Sequence, residues 1–106
     1  MQKIYNKLVR DKIPNIIQKS GNKCVIATLS DEEYAKMLDK KLCEEVEEYQ
    51  QDKTIEELAD ILEVVYAIAK NKGVSACELE NVRLKKLSER GGFDDKTLLQ
   101  AVISEE

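Results

Sequence analysis

From Ser30 to Gln51 the apolar residues Tyr34, Leu38, Leu42, Val46 and Tyr49 recur at the three- to four-residue spacing of a helix that turns about 100° per residue. A second and broader arc follows, with Ile55, Leu58, Ile61, Leu62, Val64, Val65, Ile68 and Ala69 on one side, and predicts a helix reaching Asn71-Lys72. Ser30 with Glu33, Thr54 with Glu57, and Ser75 with Glu78 each place a hydroxyl three residues ahead of a glutamate, the pattern of a capping box at a helix start. Asp52-Lys53-Thr54 makes the turn between the first two. Gly73 closes the second in a left-handed cap, and Arg90-Gly91-Gly92-Phe93 breaks the third after Leu79, Val82 and Leu87. Upstream, Ile13, Ile16 and Ile17 predict a short helix with Pro14 in its first turn, ending near Ser20-Gly21-Asn22 and preceded by an extended Met1 to Asn6. The branched run from Cys24 to Leu29 reads as a short strand or an extended arm. In the tail, Leu98, Leu99, Val102 and Ile103 read as a helical segment covering a neighbouring surface. Helices joined by such short turns are antiparallel neighbours, so the expected fold is all-α: an antiparallel bundle of about four helices with a short extended amino-terminal segment. One compact domain is expected over residues 1–106.

The acids on these helices are not equivalent. On the first long helix Glu45 falls inside the apolar stripe, one turn from Leu42 and Tyr49, and Glu48 lies at its edge; Glu44 and Glu47 point away and are expected to be solvated. On the second, Glu57 lies within the apolar arc and Asp60 just beyond Val64, while Glu56 and Glu63 face outward. A buried carboxylate without a partner is costly, by several kcal/mol even after relaxation. Glu45 and Glu57 therefore require positive charge. A lysine could supply it, but two helices each donating two acids to one seam suggest a divalent cation, and oxygen ligands alone suit magnesium or manganese better than zinc. Two bland alternatives compete: charge runs are ordinarily solvated faces in a chain that is 36% charged, and Glu57 has a first-turn capping role open to it.

Composition narrows the possibilities. With 42% hydrophobic residues, one proline, four glycines and no tryptophan, the chain has the balance of an ordinary helical protein. Its net charge of −4 disfavours nucleic-acid polymers and anionic membranes as partners, while leaving local basic groups free to hold a small phosphorylated ligand. Lys7, Arg10 and Lys12 near the start, and Lys86 and Arg90 one helical turn apart ahead of Gly91-Gly92, are the basic candidates; their plainer roles are solvated charge and a helix end complementing its dipole. Cys24, Cys43 and Cys77 are odd in number and lack Cys-x-x-Cys pairing, which excludes a disulfide framework and fits semi-buried packing in a reducing compartment. No histidine is present to activate a thiol. Without a signal peptide or a long apolar run, a cytoplasmic location is expected. Four tyrosines and Phe93 are the only aromatics, and core packing is the default role for each.

The run Glu44-Glu45-x-x-Glu48 followed by Glu57-x-x-Asp60 resembles the signature of the MazG-like all-α nucleoside triphosphate pyrophosphatases. Lys7-Leu8-Val9-Arg10-Asp11-Lys12-Ile13-Pro14, Lys41-Leu42 and Glu89-Arg90-Gly91-Gly92-Phe93 look like the small house-cleaning branch of that superfamily. Eight residues separate Glu48 from Glu57, shorter than the usual gap of the superfamily, which implies a tight turn between the helices. The resemblance implies hydrolysis of a nucleoside triphosphate, noncanonical or surplus, between its α and β phosphates, with Mg²⁺ or substituting Mn²⁺ as cofactor. It implies Glu45, Glu48, Glu57 and Asp60 as metal ligands and Arg10 at the phosphates. Glu45 and, as a secondary candidate for orienting water, Glu44 are the expected catalytic acids. A homo-oligomer, dimer or tetramer, is expected from the same resemblance and from the modest core. Two alternatives are a phosphoribosyl-ATP pyrophosphohydrolase and a noncatalytic helical module that binds a cation or a basic partner.

Overall fold

The computed structural model describes residues 1–105 and contains four helices in chain order: α1 (Ile13–Lys19), α2 (Asp31–Asp52), α3 (Ile55–Asn71) and α4 (Ala76–Arg90). The fold is all-α. Each long helix starts where a hydroxyl satisfies an otherwise orphaned amide: Ser30 accepts from the Glu33 N–H, Thr54 from the Glu57 N–H and Ser75 from the Glu78 N–H, at 3.1–3.2 Å. The turn between α2 and α3 is as tight as its sequence demands, because Lys53 takes the left-handed conformation (φ 56°) and its N–H caps the Tyr49 carbonyl. Gly73, at φ 81°, ends α3 in the same way, and there its lack of a Cβ matters.

Helices α2 and α3 pack side by side, and α4 touches α3 more lightly. Leu38 of α2 and Val64 and Ala69 of α3 are the buried apolar residues. Of the two readings of residues 24–29 the extended arm stands and the strand does not, because no partner strand exists among the described residues to take their backbone hydrogen bonds. Two expectations are corrected. The tail from Thr97 to Glu105 is not helical, and within one chain Leu98, Leu99, Val102 and Ile103 are exposed. The chain is elongated rather than compact: its radius of gyration is 19.1 Å, against about 13 Å for a packed domain of this size.

Helix α3 carries a second apolar side. Its exposed residues Ile55, Leu58, Leu62 and Tyr66 fall within about 80° of one another on the helix wheel, opposite Glu57 and Asp60. A helix apolar on both sides belongs inside a bundle, and α2 covers only one of those sides.

Candidate metal centre

The seam between α2 and α3 brings Glu45 of α2 together with Glu57 and Asp60, which lie one helical turn apart on α3. One carboxylate oxygen each from Glu45, Glu57 and Asp60 lies within 4.8 Å of the other two. The tight turn after Asp52 makes this possible, since it folds α3 back against α2 so that one turn of each helix faces the other.

Glu45 is only 7% exposed, as its place inside the α2 stripe predicts. Lys41, one turn earlier on the same helix, approaches one of its oxygens at 3.4 Å and also lies 3.7 Å from Glu44. A lysine therefore does supply part of the compensating charge. It does not supply all of it, because Glu45 Oε2 and Glu57 Oε2 are both buried without a hydrogen-bond partner. Such orphans are rare in folded proteins, where buried polar atoms ordinarily have a partner.

The capping alternative for Glu57 separates into two parts. Its backbone N–H is capped by Thr54, but its carboxylate does not reach back to the hydroxyl, unlike Glu33 and Glu78, which both accept from their capping serines. Glu57 is thus capped by Thr54 through its backbone N–H, while its carboxylate lies in the seam.

Burial, and next the neighbouring Glu48 charge, hold Glu45 above the ordinary glutamate value, with Lys41 opposing and Asp60 adding a smaller push. Glu57 is raised by desolvation first and then by Glu48, Asp52, Asp60 and Glu45. Both groups bind protons more tightly folded than unfolded, so their contribution to stability falls as pH rises from the ordinary value of 4.5 through the raised values. In chelator, thermal melts of the wild type are expected to shift downward as pH rises above the ordinary glutamate value of 4.5, and a Glu45→Gln, Glu57→Gln double variant is expected to lose most of that slope. Equal slopes in the two proteins would contradict this assignment.

Glu48 is exposed at the edge of the seam; its charge is felt by Glu45 and Glu57, but its oxygens lie outside the three-acid group. Glu47 is exposed as expected. Glu44 is not: it is half-buried beside Lys41, because the lysine lies over this turn and covers both adjacent acids. Arg10 reaches the site from the amino-terminal arm, its Nη2 donating to Asp60 Oδ1 at 2.6 Å. Sequence spacing gave no hint of this pairing across fifty residues. Lys7, Lys12, Lys86 and Arg90 are exposed and make no ion pair among the described residues. Arg90 instead lines a shallow groove formed with the chain that directly follows it, through Thr97. Cys43 and Cys77 are exposed on α2 and α4, and only Cys24 is half-buried, which corrects the packing role expected for the first two.

An uncharacterised protein of Mycolicibacterium smegmatis (strain ATCC 700084 / mc(2)155) is 60% identical to this chain over 42 residues. The match takes in 40% of this chain and 43% of that protein, so the chain spans less than half of the relative's length. No family model and no solved structure matches the chain. No helix among the described residues is long and apolar enough to cross a membrane.

Proposed function

We propose that this chain is a divalent-cation-dependent nucleoside triphosphate pyrophosphohydrolase of the MazG-like type, cleaving between the α and β phosphates to give a monophosphate and pyrophosphate. The observation that carries the reading is the convergence of Glu45, Glu57 and Asp60 within 4.8 Å, with two buried carboxylate oxygens lacking any partner. A hard cation fits this donor set: every ligand is an anionic oxygen, and the orphaned atoms face a seam where three carboxylates meet only two basic groups, Lys41 and Arg10.

When bound there, Mg²⁺ would neutralise phosphate charge and favour ionisation of water near neutral pH. The chain's own residues divide the remaining work. Glu45, Glu57 and Asp60 hold the cation, and Glu48 adds negative charge at the open edge of the seam. Glu44, half-buried beside Lys41 and next to Glu45 in sequence, is the secondary candidate for orienting the attacking water. Arg10 supplies a planar donor fork for a phosphate. One water adds across the α–β bridge, its hydroxyl going to one phosphorus and its proton to the departing phosphate oxygen.

The exposed α3 stripe supports a homo-oligomer in which a second copy covers Ile55, Leu58, Leu62 and Tyr66. Lys86 and Arg90 make no ion pair among the described residues, which leaves both free for an anionic ligand. The deciding assay is product analysis on a panel of canonical and modified nucleoside triphosphates, with phosphoribosyl-ATP included, in Mg²⁺ and in chelator. Equimolar monophosphate and pyrophosphate, formed only with the cation, are expected from at least one member. Turnover of phosphoribosyl-ATP alone would move the assignment to that enzyme, and cation binding without turnover of any substrate would make the chain a binding module.

A further inference from the structure

Two basic side chains neutralise the acid seam, and they are held in different ways. Lys41 lies on α2 one turn from Glu45, so it stays beside its acid whatever else enters the site. Arg10 lies on the amino-terminal arm ahead of α1 and reaches across to Asp60 on α3, its side chain 58% exposed and that of Asp60 39% exposed. This is the ion pair that joins the arm to α3, and releasing it opens no core. The atom it occupies matters, because Asp60 is one of the three acids of the seam.

We propose that Arg10 is a displaceable counter-ion: in the unloaded protein its guanidinium takes the place of a cation at Asp60, and when a cation enters it transfers to the phosphates of the incoming ligand. The proposal rests on the cation-dependent reading of the seam and adds to it a competition between two positive charges for one carboxylate. A guanidinium and a divalent ion on the same carboxylate repel each other at close range, and the ion competes for lone pairs that Arg10 is using. A guanidinium fork fits phosphate as well as it fits carboxylate, so the displaced group has an alternative partner in a triphosphate. Free cation therefore binds against Arg10, whereas cation and triphosphate together bind with it, and by linkage each favours the other.

The test is Mn²⁺ binding to the full chain without nucleotide, read from the loss of the free-ion paramagnetic resonance signal. Arg10→Gln is expected to bind Mn²⁺ about threefold to tenfold more tightly than the wild type, the range expected when an exposed pair and its repulsion are removed. Lys12→Gln, which removes the same charge from the same arm without touching Asp60, is expected to shift the affinity much less. A nonhydrolysable triphosphate analogue is expected to bind Arg10→Gln more weakly than wild type in Mg²⁺, and to lose part of its cooperativity with the cation. Wild type and Arg10→Gln with equal Mn²⁺ affinity, or equal shifts for Arg10→Gln and Lys12→Gln, would overturn the displacement while leaving the metal site standing. No Mn²⁺ binding by any of the three proteins would remove the metal reading and this proposal together.

Discussion

Replacing Glu57 with glutamine is expected to reduce cation-dependent pyrophosphate release at least about a hundredfold while raising the stability of the cation-free protein. The two effects have one origin. Glu57 places a carboxylate where desolvation and the charges of Glu48, Asp52, Asp60 and Glu45 all oppose ionisation, so an uncharged side chain of the same shape removes an unfavourable term. The helix start survives the change, because Thr54 caps the backbone N–H of residue 57 and makes no use of its carboxylate. Mg²⁺ should stabilise the wild type by mass action, about 2.7 kcal/mol at a hundred times its dissociation constant, and should have little effect on the variant. Melting curves with and without the cation, beside product assays, check both parts. A Glu57→Gln protein that retained activity, or that was less stable than wild type in chelator, would place Glu57 in a structural role.

Leu62→Lys is expected to dissociate the oligomer. Leu62 lies in the exposed α3 stripe with Ile55, Leu58 and Tyr66, opposite the acids, so the change leaves the seam untouched. Monomeric proteins seldom leave so continuous an apolar face uncovered, and among the described residues one chain buries only Leu38, Val64 and Ala69 of its apolar side chains. A charge at the centre of a two-fold interface is introduced by both copies. At about 2 kcal/mol each, it raises the dissociation constant roughly a thousandfold. Light scattering on the eluting protein should give a multiple of the 12.1 kDa chain mass for wild type and a smaller assembly for the variant. Wild type running as a single chain would mean that the α3 stripe is covered in some other way.

Much of this architecture was legible because its signals are local. The three hydroxyl-to-glutamate pairs marked the starts of α2, α3 and α4, since a cap acts within one turn. Helical phase alone also separated Glu45 and Glu57 from their solvated neighbours, because burial on an amphipathic helix follows angular position. What escaped depended on reach or on partners. Arg10 meets Asp60 through the path of the irregular arm, which no periodicity encodes. Glu44 is covered by a lysine side chain long enough to lie over two adjacent acids, so its angle on the wheel misjudged its exposure. The tail carries helical spacing at Leu98, Leu99, Val102 and Ile103, but these residues are exposed in one chain, and a short amphipathic segment left unpacked does not hold a helix by propensity alone.

The most direct test of the central claim is anomalous scattering from a crystal of the full chain equilibrated with Mn²⁺. A single strong peak between α2 and α3, within coordination distance of Glu45, Glu57 and Asp60, is the predicted result. A seam without a peak, in crystals where manganese binds elsewhere on the same chain, would contradict it.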